Sequence, residues 1–317
     1  MDTGRVQEVT KKLHENVARV IVGKDQTIEF ILTALLAGGH VLIEDHPGTG
    51  KTMLAKAVAR SMSGGFRRVQ FTPDLLPSDI TGLNIYDQSE GKFALVRGPV
   101  FTNVLLADEI NRATPRTQSS LLEAMEECQV TIDGETLPLD LPFFVMATEN
   151  PIETIGTYPL PEAQLDRFIM KLDMGMNSKT TELDIIDRFI RNEPLNELEP
   201  VCDMQTICEL QKEIRQVFVH PCIRDYIVDI IMATRESSKL ESGVSSRGTL
   251  AMIRCTQAYA AMQGRAYVEP DDVIRLAPCV LGHRVITFGG NGHYMKNAEI
   301  IHEIVSGIPV PVEKWEI

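Results

Sequence analysis

The stretch HVLIEDHPGTGKTMLAKAVAR, from His40 to Arg60, constrains the fold more than any other part of the chain. A short apolar run of buried-strand type enters a loop of small residues and leaves it as a helix. Phosphate-binding loops follow the pattern Gly, four residues of any kind, Gly, Lys, and Ser or Thr. Gly50, Lys51 and Thr52 satisfy its end, while Asp45 stands where the first glycine belongs. Aspartate is among the few residues besides glycine that accept a left-handed backbone, so the departure suits a tight turn, with the carboxylate expected to face away from a ligand. A strand running into a helix start in this way leaves several N–H groups aimed at one spot, and the helix dipole adds positive charge there. The loop His46, Pro47, Gly48, Thr49 and Gly50, with Lys51, Thr52 and Met53 opening the helix, is therefore the candidate ATP site. Gly48 and Gly50 allow close backbone approach, Lys51 reaches the β- and γ-phosphate oxygens, and Thr52 holds Mg2+ through its hydroxyl.

A second apolar run, NVLLADEINRATPRTQSSLLEAMEE, ends in two adjacent acids, Asp108 and Glu109. Acids at the end of a buried strand are costly unless a cation or donors meet them. At the carboxyl edge of a parallel sheet they sit where ligands bind, so Asp108 is the candidate Mg2+ ligand and Glu109 the group that orients and polarises water. The helix that follows has its own start, Thr114–Pro115. FFVMATENP brings Asn150 out of a third buried run, where it could bridge the γ-phosphate and that water, although an Asn before Pro151 also suits a turn. Arg167, in PEAQLDRF, is the candidate arginine for transition-state charge on a neighbouring subunit's nucleotide, with Arg112 and Arg116 as rivals. Arg247, in the first turn of a helix in GVSSRGTLAMIRC, opposes the helix dipole, and a nearby anion would reverse that penalty. It reads equally as an arginine reaching the phosphates from a second domain or as an exposed side chain.

Five short runs predict parallel strands: 40–44, 68–72, 103–107, 143–147 and 168–173. After about Asn177 the pattern turns helical, in TELDIIDRFIRN, CIRDYIVDIIMATRES, RGTLAMIRCTQAYAAMQG and PDDVIRLAPCVLGHR. The expected fold class is α/β, with a nucleotide-binding αβα core over 1–175 built on a parallel five-stranded sheet and a smaller all-helical lid over 180–317. Two alternating stretches, 82–98 around QSEG and 128–142 around Asp133-Gly134, predict inserted β-hairpins suited to partner contact.

Net charge is −13, and residues 1–170 carry 15 basic against 23 acidic side chains, so broad binding to nucleic acid is disfavoured. No apolar stretch approaches the ~18 residues of a membrane span, and the six cysteines form no C-x-x-C pair, so a cytoplasmic protein with reduced thiols is expected.

Taken together, the phosphate loop, LLADEINRATPRTQSSLLEAMEE, ATENPIETIGTYPLPEAQLDRF and SSRGTLAMIR resemble a MoxR-type AAA+ ATPase over nearly the whole chain. The resemblance implies ATP and Mg2+ as cofactors and assigns Asn150 to sensor 1, Arg167 to the arginine finger and Arg247 to sensor 2. It makes 82–98 similar to the family's helix-2 insert and 128–142 to its pre-sensor hairpin. It sets Val22 and Gly23, in IVGKD, against adenine. It further implies a ring homo-oligomer, a hexamer, that remodels or matures a protein client, often one with a von Willebrand factor A domain. Glu149 departs from the uncharged amide expected before Asn150. A magnesium-chelatase-like motor subunit and a nucleotide-gated scaffold with little turnover stand as alternatives.

Overall fold

The computed structural model describes residues 3–44, 48–150, 156–190, 193–288 and 294–311. Two helices come first, α1 (Thr3–Ala18) and α2 (Asp25–Leu36). The sheet then begins with β1 (Val41–Glu44), followed by α3 (Lys51–Ser61) and β2 (Phe66–Gln70). A short α4 (Pro77–Thr81) leads into the hairpin β3 (Gly82–Asp87) and β4 (Lys92–Arg97). Next come β5 (Val104–Asp108) and α5 (Pro115–Glu127), the latter capped at Thr114 with Pro115 at its first position, as its sequence predicts. The hairpin β6 (Gln129–Ile132) and β7 (Glu135–Pro138), then β8 (Phe144–Glu149), α6 (Glu162–Leu165) and β9 (Met170–Leu172), complete the core. Asp133 and Gly134 both have positive φ, the geometry that a two-residue turn between twisted strands requires.

The five-stranded sheet has the order β2-β5-β8-β1-β9, and every pairing is parallel. Its inner strands β5, β8 and β1 read as apolar runs because both faces are covered, whereas the edge strand β2 (FRRVQ) is mostly exposed. Successive side chains alternate between two cores. Val41, Ile43, Val104, Leu106, Phe144 and Met146 pack with α3, whereas Leu42, Leu105, Val145 and Ala147 pack with Leu121, Leu122 and Met125 of α5. His40 anchors the start of β1. Its Nδ1 accepts from Val145 N and its Nε2 donates to Met125 O, and burial holds its pKa down at about 4, so the ring is neutral.

The lid contains α7 (Lys179–Phe189), α8 (Met204–Ile214), α9 (Pro221–Glu236), β10 (Leu240–Ser242), α10 (Ser246–Met262), α11 (Pro270–Leu281), β11 (Ile286–Thr287) and α12 (Tyr294–Gly307). It is therefore not all-helical: β10 and β11 form a small antiparallel ladder, too short to leave an alternating signal in sequence. Helices α1 and α2 share the α3-side core with α8 through α12. Arg5 reaches Glu209 at 2.7 Å and Glu213 at 3.1 Å, and Gln211 donates to Leu35 O at 2.7 Å. Among the described residues, no helix is long and apolar enough to cross a membrane.

Candidate active site

Because β8 lies between β5 and β1, the chain segments leaving these three strands emerge side by side at the carboxyl edge of the sheet. There a cavity of about 380 Å³ is lined by Gly48, Gly50, Lys51, Thr52, Met53, Asp108, Glu109 and Asn150, together with Arg68 and Gln70. Gly50 caps α3 at φ 92°, and Gly48 has φ 86°. Among the described residues, a Cβ built on either glycine meets nothing within 4 Å. Asp45, His46 and Pro47 lie outside the described residues, as does Pro151.

Both acids are already engaged within the chain. Asp108 Oδ1 accepts from the Thr148 hydroxyl at 2.7 Å, and Oδ2 accepts from Arg68 Nη2 at 2.5 Å. Glu109 is left-handed at φ 57°, with its N–H donated to Thr148 Oγ1. Its Oε2 accepts from Gln70 at 2.8 Å and from Arg112 at 2.9 Å. Arg112 thus serves the chain's own Glu109. Sequence reasoning missed Arg68, Gln70 and Thr148. Arg68 and Gln70 are two apart on β2 and so share a face, but only the pairing of Gln70 with Asp108 brings that face to the acids.

Glu149 belongs to a largely buried arrangement at the carboxyl ends of β1 and β8. Glu44 and Glu149 end β1 and β8 in direct register. Lys171 of β9 stands between them, 2.5 Å from Glu44 and 3.3 Å from Glu149. Burial, and secondarily the Glu44 charge, raises the Glu149 pKa, while Lys171 works in the opposite direction. The acid at position 149 is thus turned to a lysine inside the sheet, and Asn150, itself 7% exposed, lines the cavity.

The two lid-side arginines lie elsewhere. Arg167 precedes β9 at the amino edge of the sheet, and Arg247 opens α10. Both bind one carboxylate in the last turn of α5: Glu126 is 3.3 Å from Arg167 and 2.6 Å from Arg247. With Gly38, Gly39 and His40 they line a separate cavity of about 420 Å³. Arg247 therefore lines this cavity and not the one that holds Lys51 and Asp108. The reason lies in the lid–core junction. Arg284, 2% exposed, takes Asp166 at 2.7 Å and also donates to Phe168 O, and Ser245 donates to the same aspartate at 2.9 Å. The start of α10 is thereby pinned at the amino edge. Asp166 is spent on Arg284, so Arg167 turns to Glu126. Arg116 is exposed in the first turn of α5, at the opposite end from Glu126. Val22 is buried, and Gly23 packs on Thr181 of α7, outside the lining of the phosphate cavity.

Comparison with known proteins agrees with this geometry. Residues 40–170 match the ATPase family associated with various cellular activities (AAA), and residues 232–304 match the AAA lid domain. The chain is 42% identical to the chaperone MoxR1 of Mycobacterium tuberculosis, over 93% of its own length and 80% of the relative's. It is 49% identical to the uncharacterised protein YeaC of Bacillus subtilis, over 96% and 95%. A crystal structure of a protein from Cytophaga hutchinsonii, provisionally named an ATPase, superposes with a TM-score of 0.89 at 37% identity, covering 98% of this chain and 97% of that one.

Proposed function

The chain belongs to the MoxR family of AAA ATPases, and on that premise we propose that it hydrolyses Mg2+-ATP at contacts between copies of itself and uses the cycle to remodel or mature a protein client. One observation carries this reading: the helix start bearing Lys51 and Thr52, the acids Asp108 and Glu109, and Asn150 line a single cavity. The donor set fits a magnesium nucleotide, since Thr52 offers a hydroxyl and Asp108 a carboxylate, the hard oxygens that Mg2+ takes. Bound there, Mg2+ would neutralise charge on the β- and γ-phosphates. Lys51 and the α3 amides hold those phosphates, Glu109 orients water and draws on its proton, and Asn150 spans water and phosphate. Arg68 and Arg112 release the two carboxylates when these take up their roles.

Arg167 and Arg247 act on the nucleotide of a neighbouring copy, a reading supported by their shared place at the amino edge. The family resemblance makes the expected assembly a hexameric ring. Client contact falls to the two hairpins, which are joined by Asn84 donating to Asp133 at 2.9 Å. The β3–β4 ribbon exposes Ile85, Tyr86, Phe93 and Val96, an apolar surface suited to a protein partner such as a von Willebrand factor A domain. The test is phosphate release by purified protein across a range of protein concentrations. Turnover per chain should rise as copies assemble, and Glu109→Gln should abolish it. Tight ATP binding with no release at any concentration would refute the hydrolytic reading and identify a nucleotide-gated scaffold.

A further inference from the structure

We propose that Glu126 is a positioning residue: its carboxylate stands in for the incoming phosphate, holding Arg167 and Arg247 together in the unassembled chain and yielding them when a second copy presents its nucleotide. This rests on the reading that the two arginines serve a neighbouring copy.

Three observations point to Glu126. First, one carboxylate takes both guanidiniums, Oε2 from Arg167 and Oε1 from Arg247, although they come from different parts of the fold. Second, each charge is badly placed on its own helix. Glu126 sits in the last turn of α5, where the dipole disfavours an anion, and Arg247 sits in the first turn of α10, where it disfavours a cation. The pair relieves both, so neither side is settled until the other arrives. Third, the Arg167 guanidinium is incompletely used: its Nε is buried with no hydrogen-bond acceptor. A single carboxylate does not fill this cluster, whereas a phosphate offers more oxygens and more charge. Exchange of Glu126 for phosphate is easy because the three side chains stay 30–47% exposed, where ion pairs are weak and readily exchanged.

Glu126 therefore competes with the neighbour's nucleotide. The experiment uses the full chain carrying Glu109→Gln throughout, so that ATP persists, and follows assembly with Mg2+-ATP by sedimentation velocity. Adding Glu126→Gln, which keeps the shape and removes the charge, should lower the protein concentration at half-assembly about fivefold, the scale of two exposed ion pairs. In an Arg247→Ala background the same change should produce a smaller shift, which a role in α5 stability alone would not do. An unchanged or raised midpoint for Glu126→Gln, or an equal shift with and without Arg247, overturns the proposal. If the chain with Glu126 intact never assembles with ATP, the in-trans reading beneath the proposal is what has failed. Thermal melting of Glu126→Gln is expected to match the parent, separating competition from misfolding.

Discussion

The two edges of the central sheet carry opposite halves of one chemistry. At the carboxyl edge, acids are held by the chain's own cations: Asp108 by Arg68 and Glu109 by Arg112. At the amino edge, cations are held by the chain's own acid: Arg167 and Arg247 by Glu126. In the proposed function the first edge binds a magnesium nucleotide within one chain. The second gathers Arg167 and Arg247 on one carboxylate, where the lid is fastened to the core by Arg284 and Asp166. The contrast teaches that effects within and between subunits should separate: substitutions at the carboxyl edge should act within a subunit, and those at the amino edge across a contact.

The largest expected effect tests the amino edge. Arg167→Ala should bind ATP like the parent by calorimetry and release phosphate about 10³-fold more slowly, the scale of an arginine at a phosphoryl-transfer transition state. Mixed with Glu109→Gln chains it should recover part of the activity, since an intact contact can form. Mixtures that stay inactive at every ratio would remove the division between the edges. Glu109→Gln alone should keep ATP affinity and lose about 10²-fold or more in turnover, the range of a general base. Undiminished phosphate release would take Glu109 out of the mechanism. Lys51→Ala should weaken ATP binding by about 10- to 100-fold, corresponding to a lost charge-assisted hydrogen bond of ~1.5–3 kcal/mol. Equal affinity would mean that the carboxyl edge is not the binding half.

The smallest effect lies at the ends of β1 and β8. Glu149→Gln leaves Lys171 with Glu44 and removes a carboxylate that burial holds more basic than usual. An acid whose folded pKa is raised loses stability as pH climbs above 4.5, the value of the unfolded chain, because ionisation is easier unfolded. The variant should thus be more stable than the parent at pH 7, and the gap should close as pH falls toward 4.5. Thermal melts of both proteins between pH 4.5 and 7 check this, and a gap that widens on acidification would reverse the assigned sign.

Much of the fold is legible from the chain because its signals are local. The inner strands of the core leave apolar runs, Thr114–Pro115 marks a helix start, and Asp133-Gly134 marks a hairpin, while the exposed edge strand FRRVQ leaves a weaker signal. Helices α1 and α2 were less visible as elements, and their packing on the lid not at all, since their apolar faces name no partner. In the site, Gly50, Lys51 and Thr52 declare themselves by spacing, and Asp108 and Glu109 by the cost of acids at a buried strand end.

The sequence by itself determined the phosphate loop, the paired acids, the parallel sheet and the family to which they belong, because each depends on residues within one turn or one strand. Only the tertiary structure decided that Arg68 and Gln70 meet the acids, that Lys171 sits between Glu44 and Glu149, and that Arg247 joins Arg167 on Glu126. Those contacts depend on which strands lie side by side and on where the lid is fastened. Strand order and docking are set by the summed burial of many distant side chains, a quantity that no single stretch of sequence contains.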